Sequence, residues 1–223
     1  MEFGTTRLRD IVARAYTRQD PTVRQRFYTS IRYHPLFASP ADQMFKINVL
    51  LLLWHYGVVF QCTCATANSP IFQIPSCYNS LKFFHKAEEL KDISEPGNPI
   101  CLVPTSRTFP TLDAVVLTSS AVITVQITIA LKHDANEQEF DLIYRNLPPG
   151  LLAKRPDRYH VFITDNEINA KSLREQNQTQ IPNGTLVYST ARGFEDLGYA
   201  TEERVDALEK ARVSLYWRYL IWN

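Results

Sequence analysis

The chain has 223 residues, a hydrophobic content of 45%, and 24 lysines and arginines against 23 aspartates and glutamates. The hydrophobic content is sufficient for a packed core, which excludes an intrinsically disordered chain. The net charge of +1 excludes polyanion binding through bulk charge, so a contact with nucleic acid would have to be local.

The cysteines and the apolar segments indicate an intracellular protein. The four cysteines lack the spacing of a zinc site or a disulfide framework, which favours buried free thiols. The first ten residues lack the apolar core of a signal peptide, and the longest apolar stretch is too short to span a bilayer. We therefore expect a protein of the cytoplasm or nucleus with no membrane partner.

The predicted elements begin with helices. Residues 1–34 read as a helical extension of two short helices, and 35–223 as a single domain. A strongly apolar helix is predicted over 41–55, where Ser39-Pro40 suits a helix start. The alternating pattern of 58–65 predicts a strand.

Weaker signals follow in residues 66–104, which we interpret as an insertion containing a short extended piece and a short helix over 81–92. Two segments rich in Val, Ile and Thr come next, at 112–118 and 121–131. Because only Ser119-Ser120 separates them, they predict a β-hairpin.

The remainder of the chain alternates helices with strands. The predicted elements are a helix at 137–147, a strand at 158–165, a helix at 166–178, a strand at 185–190 and an amphipathic helix at 205–220. This alternation predicts an α/β domain with a mixed sheet.

Three polar residues interrupt the apolar hairpin. Asp113 breaks the first strand, while Gln126 and Thr128 are two residues apart on the second and so share one face of it. Polar side chains inside a sheet can simply satisfy one another across strands, which is the alternative to a functional site.

The predicted order from residue 41 to 164 is α-β-β-β-α-β, the common core of the PD-(D/E)XK nucleases. In that core an acid on the second strand and an E-x-K pair on the third hold a divalent cation. The stretches PTSRTFPTLDAVVLT, ITVQITIALKHDA and RYHVFITDNE resemble the restriction-endonuclease-like domains of fungal Crinkler-type and retrotransposon-hot-spot-type proteins. The resemblance covers residues 35–190.

The resemblance implies DNA binding and metal-dependent phosphodiester hydrolysis with Mg²⁺ or Mn²⁺. Asp113 corresponds to the metal-binding acid, and Gln126 with Thr128 to the E-x-K pair, with Gln126 or the carbonyl of Ile127 completing the coordination. His133 corresponds to the histidine after the strand and is expected to act as a general acid or base.

Two residues depart from the pattern of these relatives. Gln126 is neutral, and MFKIN places Lys46 where relatives carry a glutamate on the first core helix. Lys46 could contact phosphate, and either Lys46 or Lys132 could replace the lysine of the E-x-K pair. Catalysis therefore has an alternative, a degenerate nuclease fold that acts as an effector or interaction module on nuclear DNA or a host protein. Such an effector would reach the host nucleus by a secretion route that the chain does not reveal. An unrelated α/β fold with polar core residues is the third possibility.

Overall fold

The computed structural model describes most of the central part of the chain. The described residues are 23, 26, 28, 30, 31, 38–51, 53, 60–64, 72–77, 80–106, 109–132, 136–177 and 185–190. Residues 1–22 and the predicted helix at 205–220 lie outside this part.

The described part of the chain is built around one mixed sheet. Its strands are β1 Phe60–Cys64, β2 Phe72–Ile74, β3 Leu81–Phe84, β4 Ile100–Pro104, β5 Ala114–Leu117, β6 Ala121–Ile127, β7 Asp157–Thr164 and β8 Thr185–Thr190. They form an eight-stranded sheet in the order β2-β1-β8-β7-β6-β5-β4-β3. The pairs β3–β4, β6–β7 and β7–β8 are parallel, and the other neighbours are antiparallel. The predicted α/β class is confirmed.

Helices connect the strands. They are α1 Ala38–Leu51, a 3₁₀ helix Ala87–Asp92, α2 Glu137–Arg145, α3 Pro149–Ala153 and α4 Glu167–Asn177. The side chain of Asn136 caps α2 by accepting hydrogen bonds from the backbone N–H groups of Gln138 and Glu139. After α2, Pro148 and Pro149 prevent that helix from continuing, because proline is not tolerated inside a helix. Proline is favoured in a first helical turn, so a separate short helix, α3, begins at Pro149.

The central hairpin joins β5 to β6 at the predicted turn, but both strands are shorter than predicted: β5 begins at Ala114, after Asp113, and β6 ends at Ile127, before Thr128. Ala114 pairs with Val125 and Leu117 with Val122. Thr118 closes the turn, since its N–H donates to the Ala121 carbonyl at 3.0 Å and its hydroxyl accepts from the Ala121 N–H at 2.8 Å. This hairpin brings the start of β5 beside the end of β6.

Two hydrophobic clusters cover the two faces of the sheet. One joins α1 to alternate strand residues, and its β6 members are Ala121, Ile123, Val125 and Ile127. The other joins Val122 of β6 to the 3₁₀ helix, α2 and α3. Alternate residues of β6 therefore face α1 and α2 in turn.

Some predicted elements need correction. The segment 81–92, predicted as one helix, divides into β3 and a 3₁₀ helix. The sequence also predicts neither α3 nor β4, although β4 is the neighbour of β5 in the sheet. The predicted strand at 58–65 corresponds to β1, which pairs with β2 and β8 instead of β5. Strand β4 therefore occupies the place next to β5 that the order of predicted elements assigns to β1.

Two further expectations can be compared with the described residues. The segment 66–104, interpreted as an insertion, contributes β2, β3 and β4 to the sheet. Cys77 and Cys101 are buried free thiols, as expected. Among the described residues, no helix is both long and apolar enough to cross a membrane.

Candidate functional site

The candidate site forms where β5 begins, because β6 runs past this point. The N–H of Asp113 donates to the Val125 carbonyl at 3.0 Å. Val125 is also the register partner of Ala114. Two successive residues thus share one partner, which is the pattern of a β-bulge and redirects the side chain at the strand end.

Beyond the last β5–β6 pair, Ala114 with Val125, the Asp113 carboxylate serves as the hydrogen-bond acceptor for the next part of β6. One carboxylate oxygen, Oδ2, accepts a hydrogen bond from the Ile127 N–H at 2.7 Å. Because the N–H groups of a strand lie in the plane of the sheet, this carboxylate lies in that plane next to β6. Asp113 retains only 6% of its surface, so the charge is buried.

Lys46 of α1 compensates this buried charge. Its Nζ lies 3.2 Å from Asp113 Oδ1 and 3.5 Å from Asp42 Oδ2, one helical turn earlier on α1. The other oxygen of Asp42, Oδ1, accepts from the Ile129 N–H at 3.1 Å. We call Asp42, Lys46 and Asp113 the Lys46 cluster.

Burial dominates the electrostatics of the cluster. It raises the pKa of Asp113 above its ordinary value, although Lys46 and the Ile127 N–H both act to lower that pKa. The neighbouring carboxylate of Asp42 also acts to raise it. The Lys46 ammonium therefore offsets only part of the cost of burying a carboxylate here.

The Gln126 side chain lies on the face of β6 that is turned away from α1. The neighbours of Gln126, Val125 and Ile127, pack on the α1 face, so the Gln126 side chain lies on the α2 face. Thr128 comes just after the strand, and its hydroxyl accepts from the Ala130 N–H at 3.0 Å. Gln126 and Thr128 are both buried, as Asp113 is.

The other predicted site residues have different environments. Lys132 is exposed beyond the end of β6, and His133 lies outside the described residues. A further histidine, His160 in the middle of β7, is buried, and its Nδ1 lies 2.8 Å from the Thr124 hydroxyl. Its ring contacts Phe140 of α2 at a centroid distance of 3.9 Å, so packing within the core accounts for this histidine.

A second buried carboxylate, on α2, was missed by the sequence reasoning. Glu139 accepts from the Thr111 hydroxyl at 2.9 Å and from Asn136 Nδ2 at 2.9 Å. Burial raises its pKa, these hydrogen bonds act to lower that pKa, and the charge of Asp113 acts to raise it. We call Thr111, Asn136 and Glu139 the Glu139 cluster. Its carboxylate and that of Asp113 are close enough to repel each other.

Asp42 and Asn169 both bond to the backbone of Ile129, just after β6, and the sequence did not predict either contact. Asn169 of α4 donates through Nδ2 to the Ile129 carbonyl and to Asp165 Oδ1, both at 2.8 Å. Asp42 could have been found from its spacing of four residues before Lys46, which places the pair on one helix face. Asn169 carried no such signal.

The donor set of the Lys46 cluster does not suit the divalent ion that the resemblance implies. Each oxygen of Asp42 and Asp113 already contacts Lys46 Nζ or a backbone N–H. In the part of the chain that the structure describes, no group of three or more His, Cys, Asp or Glu side chains is arranged to hold a metal. The chemistry available at the cluster is that of an ammonium held between carboxylates.

Comparisons with known proteins do not assign the chain to a family. No protein-family model matches it, and neither a curated protein nor a solved structure does. The function therefore has to be inferred from the residues and geometry of the chain itself.

Proposed function

We propose that this chain is a restriction-endonuclease-like domain that binds DNA without cleaving it. The proposal rests on the position of Asp113 within the order of elements. When β1–β3, the 3₁₀ helix and α3 are set aside, the remaining order is α1, β4, β5, β6, α2, β7. In that order this acid immediately precedes the second strand, and Gln126 lies on the third. These are the positions of the acid and the E-x-K pair in the PD-(D/E)XK core.

The strand pairing supports this correspondence. Strands β4, β5 and β6 are successive antiparallel neighbours, and β7 returns parallel to β6 after α2. Asp113, just before β5, stays beside the end of β6, where its N–H donates to the Val125 carbonyl at 3.0 Å. Likeness of fold alone does not establish an activity, so the choice between binding and hydrolysis rests on the contacts of the site residues.

The contacts of Asp113 favour binding over hydrolysis. A metal-binding acid needs an oxygen available to the ion, whereas Asp113 directs one oxygen to Lys46 and the other to the Ile127 N–H. The neutral Gln126 adds no charge that would attract the ion. This is the degenerate form of the fold, with DNA as the proposed partner and a host protein as the alternative.

Hydrolysis is the second candidate, and Asp42 favours it. This residue supplies an acid on the first helix, 3.5 Å from Lys46. Bound Mg²⁺ or Mn²⁺ would polarise a phosphodiester. Thr128, Lys132 and His133 would then take the proposed roles in positioning phosphate or water and in proton transfer.

A binding assay tests the first candidate. We expect fluorescence anisotropy to show binding of a labelled DNA duplex in EDTA and no gain in affinity when Mg²⁺ is added, because no metal takes part. Lys132→Ala should reduce the slope of log K against log salt by about 1, the effect of losing one phosphate contact. Lys91→Ala is the matched control, since Lys91 is an exposed lysine on the 3₁₀ helix. Absence of binding to DNA would remove this function.

A cleavage assay separates the two candidates. We expect supercoiled plasmid to remain intact with the wild-type chain in Mg²⁺ or Mn²⁺. Cleavage that disappears in Asp113→Ala but persists in Glu137→Ala, an exposed acid on α2, would establish hydrolysis instead.

A further inference from the structure

We propose that the Lys46 ammonium is the resident cation of this site and occupies the place of a divalent metal between Asp42 and Asp113. This inference rests on the proposed restriction-endonuclease-like core, because that core is what implies a metal here. It adds that the domain folds and functions independently of divalent cations.

The distances from Lys46 to the two carboxylates show that the ammonium lies between them. Lys46 Nζ lies 3.2 Å from an oxygen of Asp113, just before β5, and 3.5 Å from an oxygen of Asp42 on α1. A divalent ion that joined the same two oxygens would need to approach each to about 2.1 Å for Mg²⁺. The ammonium occupies the space between these oxygens, and its charge would repel a second cation.

Backbone N–H groups bind the carboxylate oxygens that do not face Lys46. The remaining oxygens of the two carboxylates accept from the N–H groups of Ile127 and Ile129, at 2.7 Å and 3.1 Å. These bonds fix one carboxylate to β6 and the other to the segment just after it, and they leave one oxygen of each directed towards Lys46. The arrangement is therefore complete with a single monovalent cation.

Burial carries the third step. The Lys46 side chain is 13% exposed, that of Asp113 8% and that of Asp42 24%, so an ion from solvent that joined the two carboxylates would have to displace the ammonium between them. Displacement would leave Lys46 buried and without its carboxylate partners, which is strongly unfavourable. A tethered lysine thus excludes the metal as well as replacing it.

Metal titration of the wild-type protein is the first experiment. Thermal unfolding is followed with Mn²⁺, with Mg²⁺ and with EDTA, and calorimetry measures binding of Mn²⁺. We expect the same melting temperature in all three conditions and no specific binding. A Mn²⁺-dependent rise in the wild-type protein that Asp113→Asn abolishes would overturn the inference.

Removal of the ammonium is the second experiment. Lys46→Ala opens the space between the two carboxylates, so we expect it to bind Mn²⁺ and to gain about 5 °C or more in melting temperature at saturating Mn²⁺. Lys46→Ala/Asp113→Asn should lose this response. Lys171→Ala, which removes an exposed lysine of α4, is the matched control and should behave as wild type.

The remaining outcomes are also decisive. A folded Lys46→Ala with no response to Mn²⁺ would show that Lys46 is an ordinary ion-pair partner and would overturn the inference. If Lys46→Ala folds only when Mn²⁺ is present, the inference is supported. If it fails to fold in either condition, Lys46→Gln replaces it, with the same two outcomes. These measurements use no DNA, so failure of the proposed DNA binding is detected separately.

Discussion

The Lys46 cluster and the Glu139 cluster each stabilise a buried carboxylate, but with different partners. Each buries a carboxylate near the start of β5, one beside α1 and the other on α2. Asp113 is held by an ammonium and a backbone N–H, whereas Glu139 is held by the neutral donors of Thr111 and Asn136. Burial raises the pKa of both carboxyl groups, so neither set of partners fully replaces water.

The difference shows what each cluster depends on. The Lys46 cluster depends on a charge, and removing the lysine leaves a buried carboxylate uncompensated. The Glu139 cluster depends on hydrogen bonds, which tolerate a neutral acceptor of similar shape. Substitutions that remove charge but keep shape should therefore affect the two clusters unequally.

The largest effect is expected at Lys46. Lys46→Met retains the length of the side chain but removes the ammonium, and we expect it to lower the free energy of unfolding by about 3 kcal/mol. Adding Asp113→Asn should recover part of this loss, since the uncompensated charge is then absent. Urea unfolding measures both variants. Lys171→Met, at an exposed position of α4, should change stability by less than about 0.5 kcal/mol, and an equal effect at Lys46 would contradict the prediction.

An intermediate effect is expected at Glu139. Glu139→Ala leaves the donors of Thr111 and Asn136 without this acceptor and should cost about 2 kcal/mol in urea unfolding. Glu139→Gln retains an acceptor oxygen and should cost less. Glu137→Ala, an exposed acid in the same helical turn, is the control. Equal losses in Glu139→Gln and Glu139→Ala would show that the cluster depends on charge after all.

The smallest effect is on the pH dependence of stability. Because the folded-state pKa of Glu139 is raised, the folded chain binds protons more tightly than the unfolded chain. This carboxyl group should therefore reduce stability as pH rises from about 4, its ordinary range, through the raised pKa. Urea unfolding across this interval should give a shallower decline for Glu139→Gln than for wild type. A decline as steep as that of wild type would mean that Glu139 titrates normally in the folded protein.

Much of the fold was predictable because local patterns were strong. The β5–β6 hairpin followed from Val, Ile and Thr residues on both sides of Ser119-Ser120, and β8 followed from a similar pattern. Strand β4 was missed because all five of its residues are buried, so it lacks the alternation that identifies a half-exposed strand. Strand β3 was missed because its four residues run directly into the helical pattern that follows.

The candidate site was predictable only in part. Asp113 stood out because an acid interrupts an apolar segment. The prediction that Gln126 and Thr128 share one face assumed a strand through residue 131, whereas β6 ends at Ile127. Strand periodicity does not tell which face of β6 packs against α1 and which against α2, because that depends on how the two helices dock on the sheet. The contact between Lys46 and Asp113 likewise depends on the docking of α1, which no local pattern encodes.

Ile129 lies at a junction between two distant parts of the chain. Its N–H donates to Asp42, 87 positions earlier, and its carbonyl accepts from Asn169 of α4, 40 positions later. Contacts across such separations form only after long loops have closed, which is slow relative to the formation of a hairpin. We therefore expect the β5–β6 turn to form early in folding and the far end of β6 to be completed late, when α1 and α4 have both docked.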